Sequence, residues 1–345
     1  MSTRQRKKII VGLLCLLFIA LTGLSNMAFA AGKEAKDKYF LVMVQSTMNH
    51  PWRVACTNSF LDAVKTYGDR ISRFEWFNGR NDAEKELSCV EDAIALEPDL
   101  IMMTPLVAEP LTPAANLCKR AGIPLIVFDR KINAVPGKDF VTFIGASYVE
   151  EGRECARLLV EKLYQKYGEY KGNVVEIAGT AGSSPQIDRA AGFREIIQRF
   201  PGIKIVASQD GDYLRSNARS IMENYMERFP PGEIDAVFCH SDEMAIGAVA
   251  AIEAAGRDEL LGWVVSTDGE RPALKLIIEG KMLGTAQCPP YYGNLTIKTA
   301  IDFLDGKPVP PEIWLPFETF SNVNETELQK TKQYYEYLKA NDLMY

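Results

Sequence analysis

Apolar residues fall in short runs at 39–44, 73–77, 100–103, 124–128 and 141–144. Each run stops at small or polar residues before a longer stretch with apolar positions three and four apart. Short unbroken runs suit strands buried on both faces, and the 3.6-residue period suits amphipathic helices. Helices are therefore predicted at 52–67, with Val54, Phe60, Leu61 and Val64 on one face, at 82–96 and at 113–121. Thr112 is the expected N-cap of the last, with Pro113 in the first helical position. After 150 the pattern starts again. Strands are expected at 174–177, 204–208, 236–239, 263–266 and 283–286. Helices are expected at 150–167, 216–229, 243–255, 274–279 and 293–304, the last closing the series. Strand and helix alternating at this spacing make a doubly wound parallel sheet. The chain thus reads as two α/β lobes of similar build. No long Gly/Ser or Pro linker parts them, so short crossings between strands should join them.

The stretch 174–193 shows what a strand end carries. An apolar run is followed by small residues from Gly179 to Ser184, which let the backbone turn tightly and approach a ligand. Asp188 and Arg189 then open a helix that continues through Phe193, Ile196 and Ile197. A carboxylate and a guanidinium so arrive together at the carboxyl end of a strand, where open α/β sheets hold ligands. Other strand ends are alike. Asn49, His50 and Trp52 follow the first strand, and Asp129 and Arg130 the fourth. Asp212 and Tyr213, Ser241 and Asp242, Asp268, and Gln287 recur in the second half. Carboxylates accept hydrogen bonds, guanidinium groups donate them and aromatic faces cover C–H surfaces, which together suit a small polyhydroxylated ligand. Singly, each residue has a plainer reading as a loop, cap or surface ion-pair residue; Asp129, Asp242 and Asp268 lie near helix starts. Their recurrence at one place in the pattern is the argument for a site.

Composition adds an address. Arg4, Arg6, Lys7 and Lys8 precede an almost wholly apolar run at 9–24, and Ala28-Phe29-Ala30 gives a small-x-small cleavage site. Residues 1–30 are expected to be a secretory signal peptide, its apolar part short for a membrane span. That leader holds four of the 39 basic residues and none of the 45 acidic ones, leaving 35 against 45 and a formal charge of −10. With no basic patch or polybasic run, nucleic acid and anionic lipid are not expected partners. Cys56, Cys89, Cys118, Cys155, Cys239 and Cys288 lie beyond the leader, without C-x-x-C or zinc spacing. They read as buried small apolar residues, with room for one disulfide whose pairing the sequence leaves open.

Phe128-Asp129-Arg130, Gly192-Phe193, Ser241-Asp242-Glu243-Met244-Ala245-Ile246-Gly247 and Thr267-Asp268-Gly269 resemble motifs of the periplasmic sugar-binding proteins of ABC importers, the ribose-binding group. The resemblance spans 38–345. Pro51-Trp52-Arg53, Gln186-Ile187-Asp188-Arg189, Ser208-Gln209-Asp210-Gly211-Asp212 and Met344-Tyr345 bring it nearest to the galactofuranose-binding proteins. It implies a type I periplasmic binding protein, an α/β fold of two doubly wound parallel-sheet lobes joined by three hinge crossings. Lobe one would be 37–145 plus 288–320, and lobe two 146–287 plus 321–345. The resemblance implies ligand binding by His50, Trp52, Arg53, Asp129 and Arg130 from lobe one. From lobe two it implies Asp188, Arg189, Tyr213, Ser241, Asp242 and Asp268, with Gln287 near the last crossing. His50 departs from the asparagine usual in the ribose group, and Ser241 from the asparagine that commonly precedes the aspartate. Gln287 is the ribose-type choice where the galactofuranose type has an acid. The expected function is capture of a furanose or pentose-like monosaccharide for the membrane permease of an ABC importer, by a monomer in the periplasm with no cofactor. The alternative is a sensor that presents the sugar to a chemoreceptor or sensor kinase.

No enzyme chemistry is expected. His50 and His240 read as polar residues lining a cleft, since no third metal ligand is suitably spaced. Neither a G-x-S-x-G elbow nor a P-loop is present; Gly179-Thr180-Ala181-Gly182 lacks the third glycine and the Lys-Ser/Thr pair. Asp129, Asp188, Asp242 and Asp268 could supply a glycosidase pair, but neighbouring arginines should keep them ionised as acceptors.

Overall fold

The computed structural model describes residues 36–345, and the signal peptide expected at 1–30 lies outside them. The first sheet contains β1 (Tyr39–Gln45), β2 (Ile71–Asn78), β3 (Leu100–Thr104), β4 (Leu125–Phe128), β5 (Thr142–Gly145) and β11 (Glu312–Trp314). Its order is β11-β5-β4-β3-β1-β2 and every pairing is parallel. The second contains β6 (Lys171–Ala178), β7 (Gly202–Asp210), β8 (Ala236–Cys239), β9 (Val264–Asp268), β10 (Gly284–Gln287) and β12 (Thr319–Ser321). Its order is β12-β10-β9-β8-β6-β7, parallel except where β12 runs against β10.

Helices cover both faces of each sheet, as buried apolar strands demand. In lobe one, α1 (Pro51–Thr66) and α10 (Gly293–Leu304) pack on one face through Phe60, Phe128 and Tyr292. On the other face lie α2 (Ala83–Ala95), α3 (Ala108–Leu111) and α4 (Pro113–Ala121), around Val44, Met103 and Val127. In lobe two, α5 (Tyr148–Tyr167) and α6 (Ser184–Ile197) bury Phe193 against Phe238, stacked at 4.1 Å. The opposite face carries α7 (Arg215–Arg228), α8 (Asp242–Ala254), α9 (Arg271–Ile278) and α11 (Glu325–Ala340). The chain crosses between sheets from β5 to α5, from β10 to α10, and from β11 to β12.

The sequence pattern misses β11, β12 and α11. The strands are only three residues each, and α11 buries just Thr331 and Leu338, so no apolar stripe marks it. Thr112 does not cap α4. It has helical φ of −55° because the unpredicted α3 runs into it, and its hydroxyl donates to the Ala108 carbonyl. Pairing of β12 with β10 puts Thr319 and Phe320 in the second sheet, whereas the sequence boundary fell after 320. The six cysteines at 56, 89, 118, 155, 239 and 288 are all free and buried, with no disulfide among them.

Candidate functional site

The polar strand ends of the two sheets face each other across a narrow cavity. His50, Trp52, Arg53, Asp129 and Arg130 form the lobe-one wall, and Tyr148, Pro185, Arg189, Tyr213, Ser241, Glu243 and Asp268 the lobe-two wall, with Cys288 at a crossing.

The lobe-one wall is a matched charge network. Pro51 starts α1 straight after the β1 loop and turns Arg53 inward, where it is 2% exposed. Arg53 Nη1 sits 2.7 Å from Asp129 Oδ2 and donates to Thr104 Oγ1 at 3.1 Å. Thr104 Oγ1 donates to the same carboxylate oxygen at 2.8 Å, and Tyr148 Oη donates to Oδ1 at 2.6 Å. Asp129 holds this place with φ of 58°, left-handed backbone that is kept where the surroundings over-determine it. Burial pushes the Asp129 carboxyl up, but Arg53 and Arg130 outweigh it and hold it below the usual carboxylate range. Arg130 Nη1 donates to the Leu106 carbonyl at 2.7 Å, and its guanidinium lies over the Tyr213 ring of the other lobe at 5.2 Å. Burial, with Arg53 adding repulsion, lowers Arg130 to about 10, so it stays charged at neutral pH. Desolvation and the same two arginines hold His50 well below the ordinary histidine value, so it is neutral. Trp52 Nε1 donates to the Cys288 carbonyl at 2.8 Å, which fixes its ring beside the gap.

The lobe-two wall is built on Arg189. Its Nε donates to Glu151 Oε2 at 2.7 Å and its Nη1 to the His240 carbonyl at 2.6 Å, while Asp268 Oδ1 lies 3.5 Å from Nη2. Gly152 makes this approach feasible, because a Cβ there would meet the Arg189 carbonyl oxygen at 2.1 Å. Burial opposes the Arg189 charge, yet Glu151 outweighs it and holds the guanidinium well above its ordinary value. Asp268 behaves differently from Asp129. Burial raises it well above the carboxylate range, Asp242 and Glu151 add to the rise, and Arg189 opposes. The expectation that arginines keep these acids ionised therefore fits Asp129 and fails at Asp268, because Arg189 makes its closest ion pair with Glu151. Tyr213, at φ of 61°, lays its ring on Gly179, where a Cβ would meet ring Cζ at 2.0 Å.

Asp188, Asp242 and Gln287 do not line the cavity. Successive residues of a helix point about 100° apart, so with Arg189 facing inward Asp188 faces away. Its carboxylate meets Lys131 Nζ of lobe one at 3.1 Å. Asp242 lies behind the wall, accepting from Glu270 N at 2.6 Å, from Thr285 Oγ1 at 2.8 Å and from Ser266 Oγ. It braces the loop after β9, and burial raises it to about 6. Gln287 turns toward α11, where its Nε2 donates to Tyr334 Oη at 2.6 Å. His240 is fully buried against Glu176 Oε1 at 3.0 Å and lies outside the cavity too. Ser241 lines the gap while its Oγ accepts from Met244 N at 3.3 Å as the N-cap of α8.

Sequence reasoning passed over Tyr148, Pro185, Glu243 and Cys288. Tyr148 follows the fifth strand, so the strand-end rule contained the signal. Cys288 carried none, since a lone cysteine reads as core. Beyond the cavity the walls also touch, through Lys131 N to Ser184 Oγ at 2.9 Å and Ala108 N to the Gly182 carbonyl at 3.1 Å. Among the described residues, Nε of Arg53 and of Arg130 are buried without a hydrogen-bond partner. Charged donors so placed favour an acceptor-rich ligand.

Residues 41–308 match the periplasmic binding protein domain. The ribose import binding protein of Bacillus subtilis (strain 168) is 30% identical over 317 residues, 90% of this chain and 98% of that protein. The galactofuranose-binding protein YtfQ of Escherichia coli (strain K12) is 30% identical over 288 residues, 81% of this chain and 87% of that protein. A solved structure from Mycobacterium smegmatis in complex with β-D-fucofuranose is 31% identical with a TM-score of 0.77, covering 88% of this chain and 97% of that one. With two parallel-sheet lobes, three crossings and a polar gap between the strand ends, the chain belongs to the periplasmic binding protein family and has its type I fold.

Proposed function

We propose that this protein captures a furanose or pentose-like monosaccharide between its lobes and delivers it to the membrane permease of an ABC importer. One observation carries the reading: buried donors on Arg53 and Arg130, the carboxyl groups of Asp129 and Asp268, and the rings of Trp52 and Tyr213 converge on a single gap. A sugar hydroxyl both donates and accepts, so one ligand can engage a guanidinium and a carboxyl from opposite walls. The relatives described above, which carry ribose, galactofuranose and fucofuranose in their descriptions, support the ligand class.

In this reading His50, Trp52, Arg53, Asp129, Arg130, Arg189, Tyr213, Ser241 and Asp268 contact the sugar, and Asp188, Asp242 and Gln287 support the walls from outside. Only the closed form offers both walls, so ligand binding shifts the population toward closure by rotation at the crossings. The bodies that move would be 37–145 with 288–318, and 146–287 with 319–345. Residues 1–30 direct export to the periplasm, where the monomer binds the sugar without converting it.

A thermal-shift screen with D-ribose, L-arabinose, D-galactose and D-fucose tests this, with mass spectrometry of any copurified sugar. A ligand at a hundred times its Kd should stabilise the protein by about 2.7 kcal/mol. No shift with any of the four, and no copurified sugar, retires the reading. Turnover of a chromogenic furanoside would retire the binding-only part.

A further inference from the structure

Tyr148 stands where hinge, cleft and charge network coincide. It is the first residue of α5, just past the crossing from β5, and is 1% exposed. Its hydroxyl reaches back into lobe one, 2.6 Å from Asp129 Oδ1 and 2.7 Å from the Asp129 carbonyl. Its ring carries the Arg189 guanidinium of lobe two at 5.1 Å. One side chain therefore touches the principal carboxylate of one wall and the principal guanidinium of the other.

The contact also limits what Asp129 can accept. An ionised carboxylate offers about four lone-pair sites. Arg53 and Thr104 occupy Oδ2, and Tyr148, whose single proton is shared with the Asp129 carbonyl, takes one site of Oδ1. A single site on Oδ1 is left for a ligand.

We propose that Tyr148 is a specificity-determining positioning residue, which restricts Asp129 to one ligand hydroxyl and fixes that acceptor relative to Arg189 across the hinge. The specificity part rests on the sugar-binding reading; the hold on Asp129 does not.

Tyr148→Phe keeps the ring and removes the hydroxyl, and two measurements on the whole protein decide the matter. The first uses no ligand: melting temperature of wild type and variant at pH 7 and pH 3. The titratable and charged groups facing Asp129 are Arg53, Arg130, His50, Glu151, Tyr148, Tyr292, Cys56 and Cys288. Asp129 titrates below the usual range, so its stabilisation is present at pH 7 and lost in acid. Removing a donor raises its folded pKa, so the difference in melting temperature between pH 7 and pH 3 should narrow in the variant. Parallel curves, offset equally at both values, mean Tyr148 only fills space and overturn the proposal. The second is the ratio of Kd values for the best and second-best of D-ribose, L-arabinose, D-galactose and D-fucose. That ratio should shrink at least threefold in the variant, and an unchanged ratio removes the specificity role. If wild type binds none of the four, the sugar-binding reading falls and takes the specificity claim with it, while the pH comparison still decides the hold on Asp129.

Discussion

The two walls of the cleft solve the same problem with different charge arithmetic. In lobe one Asp129 is flanked by Arg53 and Arg130, and its carboxyl lies below the ordinary range. In lobe two Glu151, Asp242, Glu243, Asp268 and Glu270 are all buried, faced by Arg189 and Arg215. Asp242 rises to about 6, and burial with Glu243, Asp242 and Asp268 raises Glu270 to about 10. Asp129 with Arg53 and Arg130 is therefore a fixed, ionised template at neutral pH, although Glu86 behind it is raised by burial to about 8. Lobe two keeps part of its acid in the neutral form, and each guanidinium there is tied to a carboxylate that cannot stand alone. An arginine on the two walls consequently does different work, and substitution can tell them apart.

The largest separation should come from Arg189→Met against Arg130→Met. Loss of Arg189 strands Glu151 without its ion-pair partner, and breaking a buried pair costs about 3–5 kcal/mol. Arg130 has a carbonyl and a ring as its partners, so its loss should cost about 1 kcal/mol. Urea unfolding of the ligand-free proteins measures both. Equal midpoints would erase the distinction between the walls.

Binding should invert that order of sensitivity for Arg130. In Arg130→Ala the ligand loses a charged donor, a loss of about 2 kcal/mol or roughly thirtyfold in Kd, while the ligand-free protein stays folded. Titration calorimetry with the sugar that stabilises wild type reads this directly, and wild-type affinity would remove Arg130 from the site.

The acid excess of lobe two predicts a pH signature of opposite sign to Asp129. With its folded value raised to about 6, Asp242 stabilises the fold at low pH, and that contribution is lost as pH rises from about 4 through 6. Asp242→Asn removes this downward term, so melting temperature should climb more steeply with pH between 4 and 6.5 in the variant than in wild type. Calorimetry at four pH values suffices, and a shallower slope would mean the carboxyl is ionised throughout.

The smallest effect should be at the rim. Lys131 and Asp188 form a half-exposed pair across the lobes, worth about 0.2–1 kcal/mol. Asp188→Asn should speed ligand release a few-fold at low salt, with the difference fading by about 0.5 M as screening removes the attraction. Stopped-flow release at two salt concentrations checks it.

The alternation of buried strands and amphipathic helices was legible because each element writes its own period into the chain. The strand-end rule then reached most cavity residues, since parallel sheets of one winding present all their carboxyl ends on one edge. It overreached at Asp188, where helix rotation turns a neighbour of Arg189 away from the gap. It overreached at Asp242 and Gln287, where neighbouring loops and α11 supply partners far off in sequence. The period did not mark α11, because that helix fully buries only Thr331 and Leu338 and otherwise docks through partly exposed tyrosines such as Tyr334 on Phe320.

The sequence by itself determined two doubly wound lobes and which residues stand at their strand ends, because periodicity and strand polarity are local properties. Only the tertiary structure decided which of those residues face one another, that Arg189 is committed first to Glu151, and that Asp129 and Asp268 titrate in opposite directions. Those outcomes depend on distances and burial between segments remote in the chain, where a few ångströms decide which charge finds a partner.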